Sequence, residues 1–120
     1  MQSPFLSSAG SRFVDRDEIL HLARETAARI AARHPEVLKV LLFGSFARED
    51  YGTRSDLDFL VILRHSDEPL RERIGRFLAD APAYPTDMLV YTEQELQARI
   101  SGGDAFLTRA TNESIQLFPK

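Results

Sequence analysis

Apolar positions along the chain follow two periods. From Asp15 to Arg33, Ile19, Leu20, Leu22, Ala23, Ala27, Ile30 and Ala31 recur at helical spacing, with Arg24, Glu25 and Arg29 between them. Asp15 or Asp17 suits the N-cap, and Pro35 cannot continue the helix. Val37 to Phe43 is a short apolar run between Pro35 and Gly44, which predicts a buried strand. Ser45 to Asp50 fits a helical turn and Tyr51 to Ser55 a loop. Leu57 to Leu63 predicts a second buried strand. The polar break His65-Ser66-Asp67-Glu68-Pro69 leads into an amphipathic helix over Leu70 to Ala81, stopped by Pro82 and Pro85. Thr86 to Tyr91 reads as a third strand. Thr92 and Glu95 have capping-box spacing for a helix to about Ile100. Gly102-Gly103 breaks the chain, Asp104 to Thr111 predicts a last helix, and Ser114 to Phe118 an edge strand.

Strands separated by helices predict an α/β (α+β) sandwich. Residues 44–56, mostly loop, are too few for a helical crossover between the first two strands, so the sheet is expected to be mixed. The Ser-, Gly- and Pro-rich residues 1–12 read as a mobile arm, and 13–120 as a single domain.

Composition narrows the function classes. A formal net charge of −3 argues against a broad basic face for nucleic acid, and no direct nucleic-acid binding is expected. It leaves room for one localised phosphate site. Without cysteine there is neither a disulfide nor a thiolate metal site, which fits a cytoplasmic protein. No apolar run approaches the roughly 20 residues that span a bilayer, and the start lacks the pattern of a signal peptide.

The candidate chemistry lies between the first two strands. Side chains at i and i+2 on a strand share a face, so Asp56 and Asp58 project together if both belong to the second strand. Paired carboxylates repel unless they share a proton or bind a cation. Oxygen-only ligands suit Mg²⁺ or Mn²⁺. Gly44, at the end of a strand, lets a phosphate approach the backbone, and Ser45 adds a hydroxyl. Asp87 is the single acidic residue of the third apolar run. If that strand pairs beside the second, Asp87 completes a three-carboxylate cluster and can act as general base. Arg48, and with less weight Arg54, could contact phosphate. His21 and His34 read as helix-surface residues and His65 as a loop residue. Tyr51, Tyr84 and Tyr91 read as packing residues, with Tyr51 close enough to the motif to touch a nucleotide. Phe106, Leu107, Ile115, Leu117 and Phe118 could serve either a core or a partner surface.

Gly44-Ser45, ten intervening residues, Asp56-x-Asp58 at the head of an apolar strand and a later lone Asp87 together resemble the nucleotidyltransferases of the DNA polymerase β superfamily. The runs Phe43-Gly44-Ser45-Phe46-Ala47-Arg48 and Ser55-Asp56-Leu57-Asp58-Phe59-Leu60-Val61 are similar to its minimal nucleotidyltransferase (MNT) members, the antitoxin halves of HEPN/MNT toxin–antitoxin pairs. The resemblance implies a small sandwich with a mixed sheet and two divalent metals, Mg²⁺ with Mn²⁺ possible. It implies transfer of AMP from ATP to a hydroxyl, a tyrosine of a HEPN ribonuclease in some systems. By position, Gly44, Ser45 and Arg48 would hold the triphosphate, and Asp56, Asp58 and Asp87 would bind metal and carry catalysis. One departure is Glu49, where relatives often carry glycine. The chain also lacks the added acceptor-binding domain of larger relatives, so acceptor choice is expected to come from a partner or from homo- or hetero-oligomerisation. Two other readings stay open: an antitoxin that neutralises its partner by contact alone, and a transferase acting on a small molecule.

Overall fold

A computed structural model gives the fold and describes residues 15–48 and 55–120. The expected N-terminal arm, Glu49, Tyr51 and Arg54 lie outside the described residues. In chain order the elements are α1 (Arg16–Arg33), β1 (Val37–Phe43), α2 (Ser45–Arg48), β2 (Leu57–Leu63), α3 (Leu70–Leu78), β3 (Thr86–Thr92), α4 (Glu93–Ser101), α5 (Ala105–Asn112) and β4 (Ile115–Phe118).

Local chemistry explains most of these boundaries. The Asp15 carboxylate accepts the Asp17 N–H at 2.9 Å and caps α1. The stripe Ile19, Ala23, Ala27 and Ile30 is fully buried, as the helical spacing requires. Thr92 and Glu95 form the expected capping box at α4, and Asp104 caps α5.

The four strands form a sheet in the order β3-β2-β1-β4. β1 runs antiparallel to both β2 and β4, whereas β2 and β3 are parallel and joined through α3. The sheet is therefore mixed, as expected. One face carries Val40, Leu42, Phe59, Val61, Met88 and Val90 and packs on α1 and Phe77 of α3. The other carries Leu41, Phe43, Leu60, Ile62 and Tyr91 and meets Leu96 of α4 with Leu107 and Ala110 of α5. Covering both faces explains why β1 and β2 are almost continuously apolar. Among the described residues, no helix is long and apolar enough to cross a membrane.

Two findings differ from the sequence reading. Helix α3 stops at Leu78 rather than Ala81. The turn that follows directs Asp80 inward, where only 4% of its side chain is exposed. It pairs there with Arg33 at 3.0 Å and His34 at 2.8 Å. His34 is thus no helix-surface residue: it caps α1, and 12% of its side chain is exposed. Its Nδ1 lies 2.9 Å from a guanidinium nitrogen of Arg76. Arginine only donates, so Nδ1 accepts and Nε2–H donates to Asp80. Arg76 continues the network to Glu36 and Glu68. These bonds tie α1 to α3 at the end of the sheet away from the Gly44 turn.

Candidate active site

At the C-terminal end of β1 the chain turns sharply into α2. Gly44 has φ +80°, a left-handed conformation that other residues adopt only with strain. Its carbonyl accepts the Ala47 and Arg48 N–H groups, each at 3.1 Å, and closes the turn. Phe46 is buried in the core and anchors α2 from below. Arg16, on α1, donates to the Phe46 carbonyl through Nε at 3.3 Å and Nη2 at 3.2 Å. Ser45 is thereby held at the rim of the sheet.

Sheet register brings the carboxylates to this turn. Phe43 pairs with Asp58 across the β1–β2 ladder, and Asp58 pairs with Asp87 across the β2–β3 ladder. The three residues form a row across the face covered further along by α4 and α5. Asp58 is partly buried in the middle, and Asp87 is exposed on the edge strand. The backbone of Gly44 approaches so closely that a Cβ there would overlap Asp58 Oδ2 and lie 3.1 Å from its Cγ.

Five of the six candidate site residues therefore meet in space. A cavity of about 480 Å³ is lined by Gly44, Ser45, Arg48, Asp58 and Asp87. Asp56 stands ahead of β2 and outside this lining. Its charge nevertheless acts on the site. The Asp58 carboxyl is pushed up to about 6, first by burial, then by the charges of Asp87 and Asp56, with Arg48 opposing.

Such a carboxyl favours a proton or a nearby cation. Among the described residues, no three of Asp, Glu and His gather into a complete protein ligand set. An all-oxygen, incomplete donor set beside the Gly44 turn fits a divalent ion that retains waters and takes substrate oxygens, as Mg²⁺ does.

Sequence reasoning missed three contributors. Tyr84 was read as packing, and its ring does stand edge-on to Phe46 with centroids 6.2 Å apart. Its hydroxyl also donates to the Ser55 carbonyl at 3.0 Å, one residue before Asp56. Tyr84 thus spans both halves of the motif. Burial and then the Asp56 charge raise its pKa, so the hydroxyl stays a donor. The other two are Phe106 and Arg109 on α5, which line the far wall with Ala110 and Glu113. Their spacing of i, i+3, i+4 and i+7 was a readable helical face, but nothing in sequence placed it over the motif.

Comparison with known proteins agrees with this geometry. Residues 25–112 match the family described as polymerase beta nucleotidyltransferase, well over half of the chain. The chain belongs to the polymerase β nucleotidyltransferase family. Among solved structures, a Sulfolobus solfataricus protein described as a nucleotidyltransferase is 27% identical with a TM-score of 0.61, covering 69% of this chain and 75% of that one. A mutant of the MntA–HpeT toxin–antitoxin is 15% identical with a TM-score of 0.45, covering 89% of this chain and 75% of that one. A toxin–antitoxin with AMP-PNP is 17% identical with a TM-score of 0.48 and the same coverage. The last two superpose too loosely to say anything of this chain's partner. Among curated proteins none matches significantly.

Gly44→Ala tests the close approach directly. Strain at positive φ costs about 1–3 kcal/mol, and the new methyl must displace the Asp58 carboxylate. The variant is expected to unfold at lower denaturant by that amount and to lose nucleotidyl transfer. Wild-type denaturation and activity would contradict the packing described.

Proposed function

We propose that this protein transfers AMP from ATP to a tyrosine hydroxyl of a partner HEPN ribonuclease and so acts as its antitoxin. The observation that carries the reading is the lateral register of Asp58 and Asp87 beside Gly44-Ser45 in one cavity. A purely steric inhibitor has no use for aligned carboxylates at the Gly44–Ser45 turn. The partner half of the reading rests on the sequence resemblance to stand-alone MNT antitoxins.

In this reading the Gly44 turn and the Ser45 hydroxyl seat the β- and γ-phosphates, with Arg48 adding positive charge at the rim. The N–H groups of Ala47 and Arg48 are already engaged by Gly44, so phosphate contact falls mainly to Ser45. Asp58 and Asp87, with Asp56 behind them, would hold the divalent ions. When bound, those ions neutralise the triphosphate and the charge that develops during transfer. Asp87 is exposed at the cavity mouth, where a protein acceptor can reach it. It takes the tyrosyl proton as the phenolic oxygen attacks the α-phosphorus. The bond from that phosphorus to the bridging oxygen breaks, and pyrophosphate leaves.

The test is transfer of α-labelled ATP in Mg²⁺ to the partner ribonuclease, comparing wild type with the double variant Asp56→Asn/Asp58→Asn. Label on the partner with wild type alone is the expected result. If neither protein labels the partner, yet both bind and inhibit it, the protein is a contact antitoxin and the enzymatic reading fails.

A further inference from the structure

The cavity has a second wall that the transfer chemistry leaves unused. Helix α5 presents Phe106 and Arg109 to it, and Glu113 follows at the helix C-cap. Among the described residues the exposed large hydrophobics are Leu78, at 38%, and Phe106, at 56%. Phe106 does not hang free. Its ring meets Phe43 edge to face, with centroids 5.9 Å apart and planes at 83°. Phe43 is itself the register partner of Asp58. The aromatic contact therefore seats the Phe106 ring against the residue paired with Asp58, on the lining of the same cavity.

Charge is divided between the two walls. Ser45 and Arg48 stand with the Asp58 and Asp87 carboxylates on one side, and Arg109 with Glu113, whose charges offset, on the other. The triphosphate belongs at the Gly44–Ser45 end, where Asp58 and Asp87 would hold the divalent ions that accompany it. What remains for the α5 end is the part of a nucleotide that is flat, uncharged and weakly hydrated. A rigid aromatic face next to a polar rim suits a nucleobase.

We propose that α5 forms the nucleoside subsite, with Phe106 stacking on the base of the donor nucleotide, and that the subsite favours purine over pyrimidine nucleoside triphosphates. The assignment rests on the nucleotidyl-transfer reading of the same cavity. Stacking contact grows with ring area, so a two-ring base gains more from Phe106 than a one-ring base. It carries no discrimination between adenine and guanine.

Calorimetric titration in Mg²⁺ separates the two halves of the ligand. ATP, UTP and inorganic tripolyphosphate are titrated into wild type, Phe106→Ala and Phe106→Trp. Wild type is expected to bind ATP more tightly than UTP, and UTP more tightly than tripolyphosphate. Phe106→Ala is expected to lose about tenfold or more in ATP affinity, the scale of one base–aromatic stack, with tripolyphosphate unchanged. Phe106→Trp should restore ATP binding. Because Phe106 is already more than half exposed, its loss leaves the core intact.

Unchanged ATP binding by Phe106→Ala overturns the assignment, as does an equal loss for ATP and tripolyphosphate. If the variant binds ATP normally but raises KM for the protein acceptor, the α5 face belongs to the acceptor and the purine subsite is wrong. Wild type that binds tripolyphosphate and ATP equally sinks the nucleoside subsite alone. Wild type that binds neither sinks the nucleotidyl-transfer reading and this assignment with it.

Discussion

Asp58→Asn is expected to abolish transfer while making the metal-free protein more stable at neutral pH. The first effect follows from position. Asp58 lies between Gly44 and Asp87, and both neighbouring elements present their reactive groups to it. Loss of one charge-stabilising group from such a site lowers turnover by about a hundred- to a thousandfold. The second effect follows from proton linkage. The folded-state pKa of Asp58 is about 6, above its ordinary value of 3.8. The folded chain therefore binds more protons than the unfolded chain between these values. The resulting stabilisation is complete below about pH 4 and is lost as pH rises through about 6. At pH 7.5 the ionised carboxylate opposes folding by about 1–2 kcal/mol, after discounting for its partial exposure to water. Asparagine keeps the shape and removes the charge. In EDTA at pH 7.5 the variant should melt a few degrees above wild type, and the gap should vanish near pH 4. Mg²⁺ should then raise the melting temperature of wild type and leave the variant where it was. A variant that melts below wild type at pH 7.5 would show that Asp58 is stabilised by partners other than those described.

Arg73→Ala is expected to cause a large loss of stability for a change in a charged residue outside the site. Arg73 sits on α3 with 3% of its surface exposed. It binds both Glu95 oxygens, at 2.6 and 2.9 Å, and donates to the Glu68 and Val90 carbonyls. Glu95 is also the partner of Thr92 in the α4 capping box. One guanidinium therefore joins α3, β3 and the start of α4. Truncation removes these bonds, leaves a cavity and strands the Val90 carbonyl. Glu95 is partly exposed and can be rehydrated, so the cost should fall at about 2–3 kcal/mol, below that of stranding a fully buried charge. Denaturant unfolding measures it. Acid adds a second readout. Arg73 holds the Glu95 carboxyl down at about 2. That contribution to stability is present above about pH 4.5 and is lost as pH falls towards 2. The alanine variant should lose less stability than wild type over that interval. An unchanged acid profile would mean that Glu95 is held by Thr92 alone.

Residue periodicity made the fold legible because each element here carries its own signal. The β1 and β2 runs are apolar on both faces, and their predicted bounds match the structure residue for residue. Of the two caps offered for α1, Asp15 is the one used, and the Thr92–Glu95 box sits where sequence placed it. Helix α3 was read too long because Asp80 satisfies helical pattern as well as any polar residue. Its inward turn depends on Arg33 and His34, which are 47 and 46 residues away in the chain and so invisible to a local pattern. The same distance effect hid Arg73. Arg73 is one of three arginines on an amphipathic helix and reads as solvated until the helix is docked against Glu95.

By itself the sequence determined the elements, the mixed character of the sheet and the spacing of Gly44-Ser45, Asp56, Asp58 and Asp87. These follow from side-chain period, turn chemistry and short connections, all of which act within a dozen residues. Only the tertiary structure decided that Asp58 and Asp87 stand in register, because pairing between β2 and β3 is set by the packing of α3 across the sheet. It also decided that Asp56 acts on Asp58 by charge from outside the cavity lining, and that Tyr84 links Ser55 to Phe46. The placement of α5 above the motif belongs here too. A helical face can be read from its residues, but what it faces is chosen by the core that Leu107 and Ala110 bury beneath it.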